Sequence, residues 1–148
     1  MTITNDIAIT GAGYSGLTLA LRLQQLGLDP ILYTAADPAT MRLERLPNTV
    51  GRFPHTLARE AALGVTDPVG AVDIGRIEVA VGPPLGLAYA GRLARPLRAT
   101  DFRVLLPDML ELYFGRGGRL VIAPELGRDL IGSIAGRHAY EKAALYVT

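Results

Sequence analysis

The chain has 148 residues, 49% of them apolar and 20% charged, with a net charge of +1. These values fit a folded globular chain of about one domain, and fourteen scattered arginines with one lysine give no electrostatic case for a nucleic acid or a membrane surface. The absence of cysteine excludes disulfides, thiolate catalysis and cysteine-bound metals, and no signal-peptide pattern or membrane-length apolar run is present, so a cytoplasmic protein is the expectation.

The first element is the most informative. Ile7, Ala8 and Ile9 read as a short buried strand, followed by Gly11, Gly13 and Gly16 in the pattern G-x-G-x-x-G. Leu17, Leu19, Ala20, Leu21, Leu23 and Leu26 then read as a buried helix, stopped at Gly27. Strand, glycine turn and helix in this order form a dinucleotide-binding corner. Gly11 allows the sharp turn, Gly13 lets a pyrophosphate approach the backbone, and Gly16 lets helix and strand pack closely. The front of the helix offers free N–H groups and partial positive charge to the phosphates.

Asp29 and Pro30 mark a turn into a second strand at residues 31–34, predicted to lie parallel to the first. The acid that usually holds a ribose at this strand end is missing; Asp37, just beyond, reads equally as a turn or cap residue. Residues 41–56 read as irregular, with Arg42, Arg45 and Arg52 facing either a ligand anion or solvent. A helix is expected from Thr56 as N-cap to Gly64 as C-cap. Residues 76–81 and 87–91 read as two strands of an antiparallel hairpin, with one apolar face short of something to pack on. Thr100 reads as the cap of a helix running to about Phe114, in which Pro107 predicts a kink or late start. A third strand is expected at 119–122, a short helix at 125–134 and a fourth strand at 144–147. The fold class is therefore α/β, a Rossmann-like parallel sheet with an inserted antiparallel hairpin. Nucleotide-binding segments fall at about 5–66 and 99–148, and the insertion at about 73–95.

Four stretches carry a more specific resemblance: GAGYSG at 11–16, LYT at the second strand end, LPNTV at 46–50 with the following REAALGV, and TDFRVLLPDMLELYFGRGG at 100–118. Together they resemble the N-terminal part of the oxygenase component of styrene and indole monooxygenases, which carry a glutathione-reductase-type FAD domain. The resemblance implies FAD as cofactor, bound at Gly11, Gly13, Tyr14, Ser15 and Gly16. It implies that Arg45 and Asn48 lie in a loop beside the flavin ring and that Arg103 reaches towards FAD. Asn48 is the one position it suggests for a catalytic role, and no metal is expected. It further implies epoxidation of a small aromatic alkene with reduced flavin and dioxygen, a separate NADH-dependent flavin reductase as partner, and a homodimer. The later Gly-Asp segment and most of the substrate domain of that family are not among residues 1–148, which read as an FAD-binding portion. Two other readings stay open at this point: a different FAD- or NAD(P)-dependent oxidoreductase, and a nucleotide-binding module without turnover.

Overall fold

The computed structural model describes residues 7–35, 37–41, 49–80, 82 and 88–123. Strand β1 (Ile7–Thr10), helix α1 (Tyr14–Gln25) and strand β2 (Pro30–Thr34) follow in order. A single 3-10 turn (Pro38–Thr40) comes before strand β3 (Thr49–Arg52) and helix α2 (Pro54–Ala62). Strands β4 (Val72–Ala80) and β5 (Ala88–Asp101) form the hairpin, and helix α3 (Phe102–Gly115) leads to strand β6 (Arg119–Ile122). β1, β2 and β6 make a parallel sheet in the order β1-β2-β6, and β3, β5 and β4 make an antiparallel sheet in the order β3-β5-β4. This is the α/β, Rossmann-like architecture expected, with the antiparallel excursion between the second and third parallel strands.

The core lies between the parallel sheet and the two long helices. Leu17, Ala20 and Leu21 of α1, Leu32 of β2, and Leu105, Met109 and Tyr113 of α3 are fully buried in one cluster. Apolar residues recurring at helical spacing dictate this, since each helix hides one stripe of its surface. All three helices stop in the same way. The second residue beyond each helix is a glycine at positive φ (Gly27, Gly64 and Gly117). The residue after it turns its N–H back, as Leu28 does to the Leu23 carbonyl, a Schellman closure that satisfies orphan carbonyls.

Several boundaries differ from expectation. α2 begins at Pro54 with Phe53 in the cap position, not at Thr56, because proline is preorganised for the first helical position. The stop at Gly64 is as expected. The hairpin strands are longer than 76–81 and 87–91, and β5 runs directly into the Asp101 cap of α3. The segment read as wholly irregular contains β3, which forms an edge by pairing Thr49–Arg52 with Asp101–Arg98 of β5. α3 runs through Pro107 without a late start. The hairpin exposes apolar side chains as anticipated: the cross-strand pair Val79 and Tyr89 is 48% and 66% exposed. The helix and strand expected at 125–134 and 144–147 lie outside the described residues.

Tyr113 joins α3 to the first residues of the parallel pair β2 and β6. Its hydroxyl lies 2.6 Å from the Pro30 carbonyl and 2.8 Å from the Arg119 carbonyl, and accepts the Arg119 N–H at 3.0 Å. Burial raises the pKa of this phenol, so it remains a donor. Tyr113→Phe strands these backbone groups in a dry site and is expected to lower unfolding stability by about 1–3 kcal/mol in urea titrations.

Candidate functional site

The glycine turn joins the end of β1 to the start of α1. Gly11 takes φ +99°, open to glycine and costly for other residues, and its N–H donates to the Tyr33 carbonyl at 2.7 Å, tying the turn to β2. A Cβ on Gly16 would stand 2.0 Å from the Gly11 carbonyl oxygen, so only glycine lets α1 sit this close to the strand. A Cβ on Gly13 would meet nothing within 4 Å. Gly13 occupies the N-cap position of α1, offers no side-chain cap, and is followed by no acid in the first turn. Among the described residues, the front of α1 therefore presents backbone N–H groups and the positive end of the helix dipole to open space, an arrangement that accepts an anion. Gly11 and Gly16 make the tight turn and the close helix–strand approach expected of them, and the donor set in front of Gly13 fits a diphosphate.

Behind this turn lies a buried polar cluster. The Tyr14 hydroxyl donates to Glu60 Oε1 at 2.5 Å, and Glu60 Oε2 accepts from Arg52 Nη1 at 2.6 Å. Arg52 Nη2 donates to Asp67 Oδ1 and to Thr100 Oγ1, both at 2.7 Å. Arg52 and Glu60 are 2% and 3% exposed. Burial, then the hydrogen bond and charge of Glu60, push the Tyr14 pKa well above the ordinary phenol value, so the hydroxyl stays protonated and donates. The Tyr14 ring packs against Phe102 at the start of α3, with centroids 6.1 Å apart. One side chain of the glycine turn is thus rooted in α2 and α3 and, through Arg52, in β3 and β5.

The remaining sequence candidates fall in different places. Arg52, read as facing a ligand or solvent, does neither; it is an internal cation held by two carboxylates. Arg103 is exposed and ion-paired with Asp101, its Nε lying 2.9 Å from Asp101 Oδ2, while Asp101 also accepts the Arg103 N–H at 2.8 Å as the cap of α3. The Arg103 guanidinium, more than its N–H, holds the Asp101 carboxyl below its usual range. Asp37 accepts the Ala39 N–H at 2.9 Å, the turn role read for it. His55, in the same proline-flanked segment, is exposed and stacks on Phe53 with centroids 5.7 Å apart, the bystander role a lone histidine most often has. Arg42, Arg45 and Asn48 lie outside the described residues. The sequence reading missed Glu60 and the side chain of Tyr14 as site-forming groups. The one available signal was Glu60 as the single acid of the helix, next to the small residues Ala61 and Ala62.

Because a buried ion pair that loses one partner leaves the other charge uncompensated, Arg52→Ala is expected to cost about 3–5 kcal/mol of unfolding stability in chemical denaturation.

With this geometry in view, comparison with known proteins is informative. No family model matches the chain. Styrene monooxygenase StyA from a Pseudomonas species and styrene monooxygenase StyA from Pseudomonas fluorescens are each 35% identical to it over 127 residues. The match takes in 85% of this chain and 31% of each relative, so the chain spans about a third of the length of these relatives. The resemblance carried by the four sequence motifs is therefore to styrene monooxygenase StyA, and it extends over most of the chain.

Proposed function

We propose that the chain is the FAD-binding part of a two-component flavin-dependent monooxygenase that epoxidises a small aromatic alkene. The observation that carries this reading is the bare front of α1, a strand–GAGYSG–helix corner with no side-chain cap and an open Gly13. The similarity to StyA narrows a dinucleotide corner to this chemistry.

In this reading the N–H groups of the turn from Gly13 to Gly16 hold the flavin diphosphate. Arg103 exchanges the Asp101 carboxylate for a phosphate oxygen, which its planar fork suits equally well. Arg45 and Asn48 border the flavin ring. The parallel sheet with its helices forms the nucleotide half, and the β4–β5 hairpin, about residues 73–95, belongs to the substrate half. When bound and reduced, the flavin supplies the electrons with which dioxygen yields one oxygen atom to the alkene. The protein's share is to orient the cofactor and exclude water from it. A separate NADH-dependent reductase supplies the reduced flavin.

The test is flavin uptake, followed by fluorescence quenching on titration with FAD. The unsubstituted chain should bind. Gly13→Ala places a methyl group where the phosphate must approach the backbone and should weaken binding at least tenfold. Its folding stability should fall by no more than about 1 kcal/mol, the scale of an N-cap exchange. Equal affinity for FAD in the two proteins would remove the turn from the binding site.

A further inference from the structure

An N-terminus that binds an anion cannot also be capped by its own chain. Ser, Thr, Asp or Asn at the cap would fill the N–H groups that the ligand needs. α1 has glycine there and no acid in its first turn. Its first residues therefore lack the local interaction that normally stops a helix end from fraying, and the glycines before them are the most mobile residues a chain can use. Something else must keep the N–H groups convergent before the ligand arrives.

We propose that Tyr14 is the positioning residue for the flavin diphosphate: it anchors the first turn of α1 from the side, through Glu60 and Arg52, and leaves the N–H groups at the front free. This rests on the flavin reading above and extends it to a residue that presents its backbone to the phosphates and its side chain to the interior. Three observations converge on Tyr14. It is the first helical residue of α1, directly after the open Gly13. Its hydroxyl makes a 2.5 Å hydrogen bond to a buried carboxylate 46 residues away. That carboxylate is itself fixed by Arg52, which is held in turn by Asp67 and Thr100.

The anchor also reaches the hairpin. Asp67 lies 3.4 Å from Arg98 Nε, and Arg98 Nε lies 3.2 Å from Asp73 of β4. The Phe102 contact fixes the ring but not its rotation about the helix, whereas the hydroxyl fixes both. Losing the hydroxyl lowers the fraction of chains whose turn is ready to bind, and apparent affinity falls by that fraction.

Tyr14→Phe tests this in the full chain, because it keeps the ring on Phe102 and removes only the hydrogen bond. FAD affinity is expected to fall about tenfold, a typical effect for one hydrogen bond to a charged group. Amide hydrogen exchange at Leu17 and Thr18, the first amides of α1 bonded within the turn, should quicken in the absence of flavin, at a temperature where both proteins are folded. Glu60→Gln should weaken FAD binding similarly, and the double variant should be no weaker than the worse single one, since both remove the same link. If the unsubstituted chain takes up FAD and Tyr14→Phe binds it equally well, the positioning role is overturned while the flavin reading stands. A lowered melting temperature with unchanged exchange at Leu17 and Thr18 and unchanged affinity also overturns it. No uptake of FAD by the unsubstituted chain overturns both.

Discussion

The amide hydrogens at the front of an α-helix have no partners inside it, and in α1 the chain leaves them to face outward. Gly13 has no side chain with which to cap them, and Gly16 cannot be replaced without a collision with the Gly11 carbonyl. Much of the surrounding structure follows from keeping that corner open and fixed at once. β2 holds Gly11 by a backbone hydrogen bond, the apolar stripe of α1 presses the helix onto the sheet, and Glu60 holds the first residue of the helix from the side. A corner with these properties has little use in a purely structural role, where a serine or aspartate cap would stabilise the helix by about 1 kcal/mol.

The buried Arg52 ties the antiparallel sheet to α2 and, through Glu60, to the first residue of α1. A guanidinium enclosed by Glu60, Asp67 and Thr100 joins β3, α2, the segment after α2, and β5. Such clusters add little net stability compared with apolar packing, but they define geometry sharply, because a misplaced partner leaves a buried charge alone. Here the defined geometry is the relation between the glycine turn and the antiparallel sheet. The exposed Val79–Tyr89 pair lies at the far end of that sheet, on the hairpin assigned above to the substrate half.

What could be read from the sequence was local. The order β1–α1–β2, the glycine stops and the strand at 119–122 are written in hydrophobic periodicity and in glycine placement, which act over a few residues. The resemblance to styrene monooxygenases was equally legible, because its motifs are contiguous. β3 was not, since Thr49–Arg52 has no strand signature of its own and becomes a strand by pairing with β5 some fifty positions later. Arg52 was misread for the same reason: its partners stand 8, 15 and 48 residues away, and no spacing rule connects an arginine in a proline-flanked segment to a carboxylate on the next helix. Phe53 replaced Thr56 as the cap because Pro54 suits the first helical position better than a hydroxyl suits the cap. Tyr14 entered the reading as one of the cofactor-binding positions of the glycine motif, whereas its side chain links the motif to α2 and α3.

The most direct measurement is a titration of the isotopically labelled chain with FAD, followed residue by residue through its backbone amide resonances. Shifts centred on Gly13 to Leu17, with smaller ones at Gly11 and Arg103, are expected if the front of α1 holds the diphosphate. Saturable binding whose largest shifts fall elsewhere, with the amides of 13–17 unmoved, would contradict it.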